Sequence, residues 1–341
     1  MARKVRVGVI GLGLGIHHLE GFAAAKDVEI VAIADLDRGK LESEGNRFAV
    51  KNRFTDYRKL LRLNEIDGVT VALPNYLHKP VTIAALKAGK HVLCEKPPAL
   101  NAREAAAMVA AAKKAGKILM IAVNNRYRRE VQYLRNEVAT GRFGKIYLAK
   151  CAYVRRSGIP AWGAGWFTDK KKSGGGPIID LGVHVIDMTL FILGYPRVKA
   201  VSAAAYQNFA HRVPPDYKFS VEDHALAFMR LAGGAVLSFE TSWATHLKAG
   251  SSHVEIFGDR AGAKLDPLEI YTEKDGVLVD EIPQIKSTGW QESIAAEVEH
   301  FAECIRTRKK PLSPGDEGVE IMRVLDAIYK SAALGREVLL R

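Results

Sequence analysis

Along the first third of the chain, short apolar bursts alternate with stretches whose apolar residues recur at helical spacing. Val5–Ile10 reads as a buried strand, residues 11–15 as a glycine turn and residues 16–25 as a helix. A second strand over 29–34 stops at Asp35, and 68–73, 91–94 and 118–123 predict further buried strands. Residues 81–88 predict a helix closed by Gly89. Asn101 with Glu104 forms a capping pair that opens an alanine-rich helix closed by Gly116. Strands alternating with helices predict a parallel, doubly wound sheet.

After Asn124 the rhythm changes. Alternating apolar and polar positions over 145–154, 225–231, 235–243 and 254–257 predict strands with few helices between them, hence a largely antiparallel or mixed sheet. Helical spacing returns over 292–306 and 318–333. The predicted organisation is a first domain over 1–123 and a second over 124–341, the latter α+β with a large, mostly antiparallel open sheet.

Composition adds limits. The 341 residues are 48% hydrophobic and 26% charged, enough to build large cores. The first residues imitate a signal peptide, but Arg6 and His17-His18-Leu19-Glu20 interrupt any apolar core, so a cytoplasmic protein is expected. No membrane span is expected. Cys94, Cys151 and Cys304 are isolated, which fits a reducing compartment and no thiolate metal site. The net charge of +12 comes from scattered residues, so no nucleic-acid partner is expected.

The glycine turn lies where a dinucleotide site needs one, after a strand and opening a helix. Gly11 permits the tight turn, Gly13 lets the backbone approach a pyrophosphate, and the helix N-terminus stabilises the anion. Ile16 stands where a third glycine is usual, and Gly15 arrives one residue early. Asp35 follows Gly11 by 24 residues, close to the roughly 20 expected of a carboxylate that accepts the adenosine ribose hydroxyls. That acid repels a 2′-phosphate, so NAD is expected over NADP; the bland alternative is a turn or cap residue.

Residues 177–193 predict a second kind of site. The stretch reads as a helix with Pro177 near its start and Gly194 after its end. Asp180, His184 and Asp187 fall at i, i+4 and i+7 on one stripe of an otherwise apolar helix. A carboxylate one turn from an imidazole can orient it as a proton acceptor. On the residues alone, a buried histidine satisfied by an aspartate is the commoner outcome.

Several motifs carry a resemblance over essentially the whole chain. They are Pro74-Asn75 with His78, Ala88-Gly89-Lys90-His91-Val92, Glu95-Lys96-Pro97, Asn125-Arg126-Tyr127, Gly174-Gly175-Gly176-Pro177 with Asp180 and His184, and Phe257-Gly258-Asp259. The sequence resembles the glucose-fructose oxidoreductase, inositol dehydrogenase and rhizopine-catabolism family, Gfo/Idh/MocA. The resemblance implies an N-terminal Rossmann domain and a nicotinamide-dependent oxidoreductase acting on a secondary alcohol of a sugar, inositol or sugar derivative. It implies Lys96, Asp180 and His184 as the catalytic group. His184 would take the hydroxyl proton, Lys96 hold the same oxygen, and Asp180 position His184 or a second hydroxyl. For the cofactor it implies Gly11, Leu12, Gly13, Leu14, Asp35, Leu73, Pro74, Asn75, His78, Glu95, Lys96 and Trp166. For the substrate it implies Lys96, Arg126, Arg155, Asp180 and His184.

The resemblance further implies a cis Lys96–Pro97 bond and a homodimer or homotetramer formed through the exposed face of the second sheet. Phe167 stands where many relatives have arginine. Arg155 and the run 170–172 near the expected site mouth raise the prospect of an anionic sugar. Other readings stay open: a metal-dependent enzyme using Asp180 and His184 with His224, His246 or His253, a non-catalytic sensor on the same fold, or NAD-assisted glycoside cleavage.

Overall fold

The protein is described here as a computed structural model covering residues 3–160 and 165–340. It forms two compact units, Met1–Tyr127 with Gly289–Glu320, and Arg128–Thr288 with Ile321–Arg341.

The first unit opens with β1 (Val5–Ile10), α1 (Gly15–Ala24), β2 (Val28–Ala34), α2 (Arg38–Arg47), β3 (Asn52–Phe54) and α3 (Tyr57–Leu61). It continues with β4 (Gly68–Val71), α4 (Asn75–Lys87), β5 (His91–Glu95), α5 (Ala102–Ala115) and β6 (Leu119–Ala122). The six-stranded sheet runs β3-β2-β1-β4-β5-β6 with every neighbouring pair parallel. Strands covered on both faces are mostly apolar, and Val7, Val9, Val69, Val71, Val92 and Leu93 are fully buried, with Thr70 of β4 the polar side chain buried among them. Strand order reverses between β1 and β4, so the turns that follow those two strands flank the place where such sheets bind ligands.

The second unit carries α6 (Arg129–Ala139), β7 (Ile146–Val154), the short α7 (Lys170–Ser173), a single π turn at Ile178–Gly182 and α8 (Val183–Ile192). Then come β8 (Val198–Tyr206), β9 (His224–Leu231), β10 (Val236–Ser242), β11 (Ser251–Gly258), β12 (Ala261–Leu265), β13 (Glu269–Lys274) and β14 (Val277–Glu281). After α9 (Trp290–Thr307) and α10 (Gly315–Leu334), β15 (Val338–Leu339) completes a nine-stranded sheet ordered β14-β13-β12-β11-β7-β10-β9-β8-β15. Only the β7–β10 pairing is parallel, as the alternating pattern predicts for a mostly antiparallel sheet. α8 packs on β7 and α6, while Tyr147, Tyr206, Leu226, Phe228 and Tyr271 stand exposed on the sheet. The segment Lys170–Ile192 is long and apolar enough by composition to cross a membrane, but 89% of its apolar window is buried, as in a core helix.

Beyond the expected division near residue 123, the first compact unit also takes in Gly289–Glu320, where α9 packs along α1. Gly21 makes that approach possible: a β-carbon there would lie 2.6 Å from Val298 Cγ2 and 3.1 Å from Ala295 Cα. The helix expected over 177–193 is not uniform. It opens with the π turn, in which Val183 N–H donates to Ile178 O. Phe239 Cζ lies 2.7 Å from where a β-carbon on Gly182 would sit, so only glycine fits that turn.

Candidate active site

The glycine turn of the first unit is shaped for a dinucleotide. Gly11 has φ +94°, and a β-carbon there would meet Ala72 O at 2.2 Å, so the tight turn needs glycine. Gly13 is different: a β-carbon would meet nothing within 4 Å, which leaves its backbone open to an approaching group. Gly15 packs against Val9 and Ala72, performing the helix–strand role of a third glycine one residue early. No side chain caps α1; Ile16 N–H donates to Gly13 O at 3.4 Å and His17 N–H to Leu14 O at 3.0 Å, within the turn itself. Leu12 is buried and Leu14 exposed.

Asp35, at the end of β2, accepts from Leu12 N–H at 2.6 Å on one oxygen and from Asp37 N–H at 2.8 Å on the other. Each carboxylate oxygen retains a lone pair for a further donor, so the turn-residue and ribose-acceptor readings of Asp35 are compatible. These features fit NAD. The turn at residues 11–15 would hold its pyrophosphate, and Asp35 its adenosine ribose.

Lys96 follows β5 and is half-buried, and the Lys96–Pro97 peptide is cis, as the family resemblance implies. Its backbone is fixed by neighbours. Glu95 Oε2 accepts from Lys96 N–H at 3.0 Å, and Glu95 Oε1 lies 3.0 Å from His18 Nε2 on α1. Burial works against charge on Glu95, but the His18 hydrogen bond and the nearby charges of His18 and Lys96 outweigh it and hold the carboxyl below its usual range. Glu95, expected as a cofactor contact, is thus occupied in tying Lys96 to α1.

His78 departs further from expectation. It is wholly enclosed, with Nδ1 at 2.7 Å from Pro97 O and Nε2 at 2.6 Å from Leu73 O. It braces the Lys96–Pro97 turn against the turn after β4 and has no ring edge left for a cofactor. Burial pushes its pKa down against the pull of both carbonyls. Leu73 and Pro74 are half-buried beside Gly11, and Asn75 opens α4.

Arg126 also differs from its expected substrate role. It is 1% exposed; its Nη1 donates to Leu312 O at 2.8 Å and pairs with Glu317. An arginine so enclosed and paired holds the start of α10 in place.

In the second unit, every residue from Gly175 to Ile192 is buried except Asp180 and His184, which are half-buried. Asp180 lies in the π turn and accepts from Trp243 Nε1–H at 3.0 Å, and His184 lies in the first turn of α8. The third member of the predicted stripe, Asp187, is buried and accepts from Tyr195 Oη–H at 3.1 Å, a structural use.

The glycine run before the π turn serves packing. A β-carbon on Gly175 would lie 1.7 Å from Tyr329 Oη, and one on Gly176 would lie 1.9 Å from Glu222 O. Glu222 Oε1 collects Gly176 N–H at 3.0 Å, Ile178 N–H at 3.1 Å and Tyr329 Oη–H at 2.8 Å. Burial nevertheless raises the Glu222 pKa. Glu222, Trp243 and Tyr329 hold the turn that carries Asp180, and no sequence motif marks them. The one signal for Trp243 is an indole donor at the end of a strand.

Two of the remaining predicted residues, Arg155 and Trp166, touch the rings of Tyr153 and Phe167, which pack with Leu181 and Trp243. Arg155 folds over the Tyr153 ring at 5.2 Å, with Nη1 at 3.4 Å from Gly158 O. Trp166 stacks on Phe167 at 3.8 Å. His224 lies 2.9 Å from Glu240. Among the described residues, no group of three or more His, Cys, Asp or Glu side chains gathers to hold a metal.

A parallel sheet with an open glycine turn at its switch point, an acid closing the second strand, and a mixed sheet in a second unit define a dinucleotide-binding oxidoreductase. Residues 5–123 match the NAD-binding Rossmann fold of an oxidoreductase family and residues 135–340 its C-terminal alpha/beta domain; the chain belongs to that family, Gfo/Idh/MocA. It is similar to D-glucoside 3-dehydrogenase of Escherichia coli (strain K12), 33% identical over 352 residues, 98% of this chain and 97% of that protein. Myo-inositol 2-dehydrogenase of Thermotoga maritima is 26% identical over 339 residues, with 98% of each chain covered. A solved levoglucosan dehydrogenase in complex with NADH and L-sorbose superposes with a TM-score of 0.89 at 25% identity over 100% of both chains.

Proposed function

We propose that this enzyme moves a hydride between NAD and a secondary hydroxyl carbon of a pyranose sugar or cyclic polyol, with Lys96, Asp180 and His184 as its catalytic residues. The observation that carries the reading is the window in the buried segment 175–192, through which only Asp180 and His184 reach partial exposure. A buried helix that exposes only a carboxylate and an imidazole is equipped for proton transfer. Relatives named for glucosides, inositol and glucose 6-phosphate supply the substrate class.

NAD held by the turn at residues 11–15 and by Asp35 would supply the hydride acceptor for the carbinol carbon. His184 takes the hydroxyl proton as the carbonyl forms. The Lys96 ammonium hydrogen-bonds the same oxygen and stabilises its developing negative charge. Asp180, aimed by the Trp243 indole, orients His184 or a neighbouring hydroxyl. A neutral sugar is favoured over an anionic one, because the Arg155 guanidinium lies over Tyr153 and Lys170 sits 5.0 Å from the Tyr329 ring. The exposed Tyr147, Leu226 and Phe228 support self-association through that sheet face.

The test begins with NAD⁺ reduction on a panel of glucosides, inositols, uronates and sugar phosphates. On the best substrate, Lys96→Ala and His184→Ala are each expected to lower kcat by about 10²-fold or more while the NADH Kd stays within a few fold. Near-normal turnover in either variant removes that residue from the mechanism.

A further inference from the structure

The glycine turn and Lys96 follow the carboxyl ends of their strands. The opposite edge of the same sheet, where Val5, Gly68 and His91 begin β1, β4 and β5, holds a cavity of about 610 Å³. Its wall includes Lys4, Lys90, His91, Lys117, Arg306 and Arg308. The one acid on that wall, Asp67, is already taken: it pairs with Arg3 and accepts from Arg6 N–H at 2.9 Å. With β1 six residues long, about 20 Å of strand separates this edge from the glycine turn.

At the cavity wall two donors face each other. His91 Nδ1 accepts from Ile118 N–H at 3.0 Å, so the neutral ring carries its proton on Nε2. That Nε2 lies 3.2 Å from Arg308 Nη1, and a guanidinium has no acceptor to offer. Protonating His91 would worsen the contact, and burial with the charges of Lys117 and Arg308 pushes its pKa down to about 4. Two convergent donors are satisfied by one shared acceptor, best an anionic one. Lys90 adds charge nearby: its buried ammonium donates to Leu63 O at 2.7 Å and Ile66 O at 2.9 Å.

We infer that this cavity binds a small metabolite through a phosphate or carboxylate group whose oxygen bridges His91 Nε2 and the Arg308 guanidinium from the cavity side, with Lys117 completing the charge. The volume lies within the range of small-molecule sites, larger than a bare ion requires. The site is independent of the proposed chemistry at Lys96 and His184.

The test uses the enzyme saturated with NADH, so that the nucleotide site is filled. It is titrated with inorganic phosphate, pyrophosphate and citrate at constant ionic strength, with sodium chloride as the control. The His91 imidazole ¹⁵N resonances, assigned with His91→Gln, report binding. A saturable shift of Nε2 is expected, and the ranking of phosphates against citrate identifies the anion chemistry. Arg308→Gln, at an exposed position, and Lys117→Gln are each expected to weaken binding about tenfold while the KM for NAD⁺ is unchanged. No saturable shift with any of the three anions, or wild-type affinity in both variants, overturns the site.

Discussion

A methyl group added at Gly13 would meet nothing within 4 Å; one added at Gly176 would sit 1.9 Å from Glu222 O. Both glycines belong to clusters that sequence patterns mark equally well, and both precede helical turns proposed to act in the reaction. In the first cluster, Gly11 and Gly15 meet protein while Gly13 is left open for a ligand. In the second, Gly175 and Gly176 admit Tyr329 and Glu222, which seat the turn bearing Asp180. Glycine makes room in both places, once for a cofactor and once for the protein itself.

The contrast can be broken by substitution, and the second cluster should give the largest effect. Gly176→Ala is expected to lose roughly 3 kcal/mol or more of stability in chemical denaturation, since the clash is with backbone that cannot yield. Gly13→Ala should leave stability within about 0.5 kcal/mol yet weaken NADH binding by about tenfold or more in calorimetric titration. The comparison fails if Gly13→Ala proves the destabilising change. A subtler probe of the first cluster is Asp35→Asn, which keeps an acceptor for Leu12 N–H but drops the charge. The ratio of kcat/KM for NAD⁺ over NADP⁺ should fall by up to about tenfold.

The second cluster also predicts a pH effect, the smallest of the set. Burial raises the Glu222 pKa above 4.5, so the folded state binds more protons than the unfolded one between those two values. The Glu222 contribution is therefore fully present below pH 4.5 and declines as pH rises through the folded-state value. Urea melts across that window should show a shallower decline for Glu222→Gln than for the native chain. Identical slopes would mean that Glu222 does not titrate there.

Much of this could be read from residue patterns, and the failures have specific causes. Val5–Ile10, Asp35 and the alanine-rich α5 declare themselves locally, because apolar runs, caps and turn glycines act within a few residues. The short, half-buried β3 carries too little pattern, and β14 sets Val277, Leu278 and Val279 in a row without alternation and leaves most of them exposed. The π turn depends on Phe239 meeting Gly182 from a distant strand. His78 and Arg126 were expected at ligands because their motifs are shared, but motif membership does not reveal enclosure. Burial and carbonyl partners assign both to bracing. Lys96, Asp180 and His184 are each half-buried, which the roles proposed for them require.

The close seating of α9 on α1 through Gly21 also bears on how the protein is made. Val298 and Phe301 are fully buried in the core of the first unit, beside Val7, Leu19 and Phe22. A ribosome that has delivered the six strands of that sheet has not yet delivered these side chains, and truncating such a phenylalanine alone removes about 3–5 kcal/mol. The nucleotide-binding unit therefore cannot close its core during its own synthesis. The groove beside Gly21 stays uncovered until residues 128–288 and then α9 itself have left the exit tunnel, so the nascent unit exposes apolar surface for that interval.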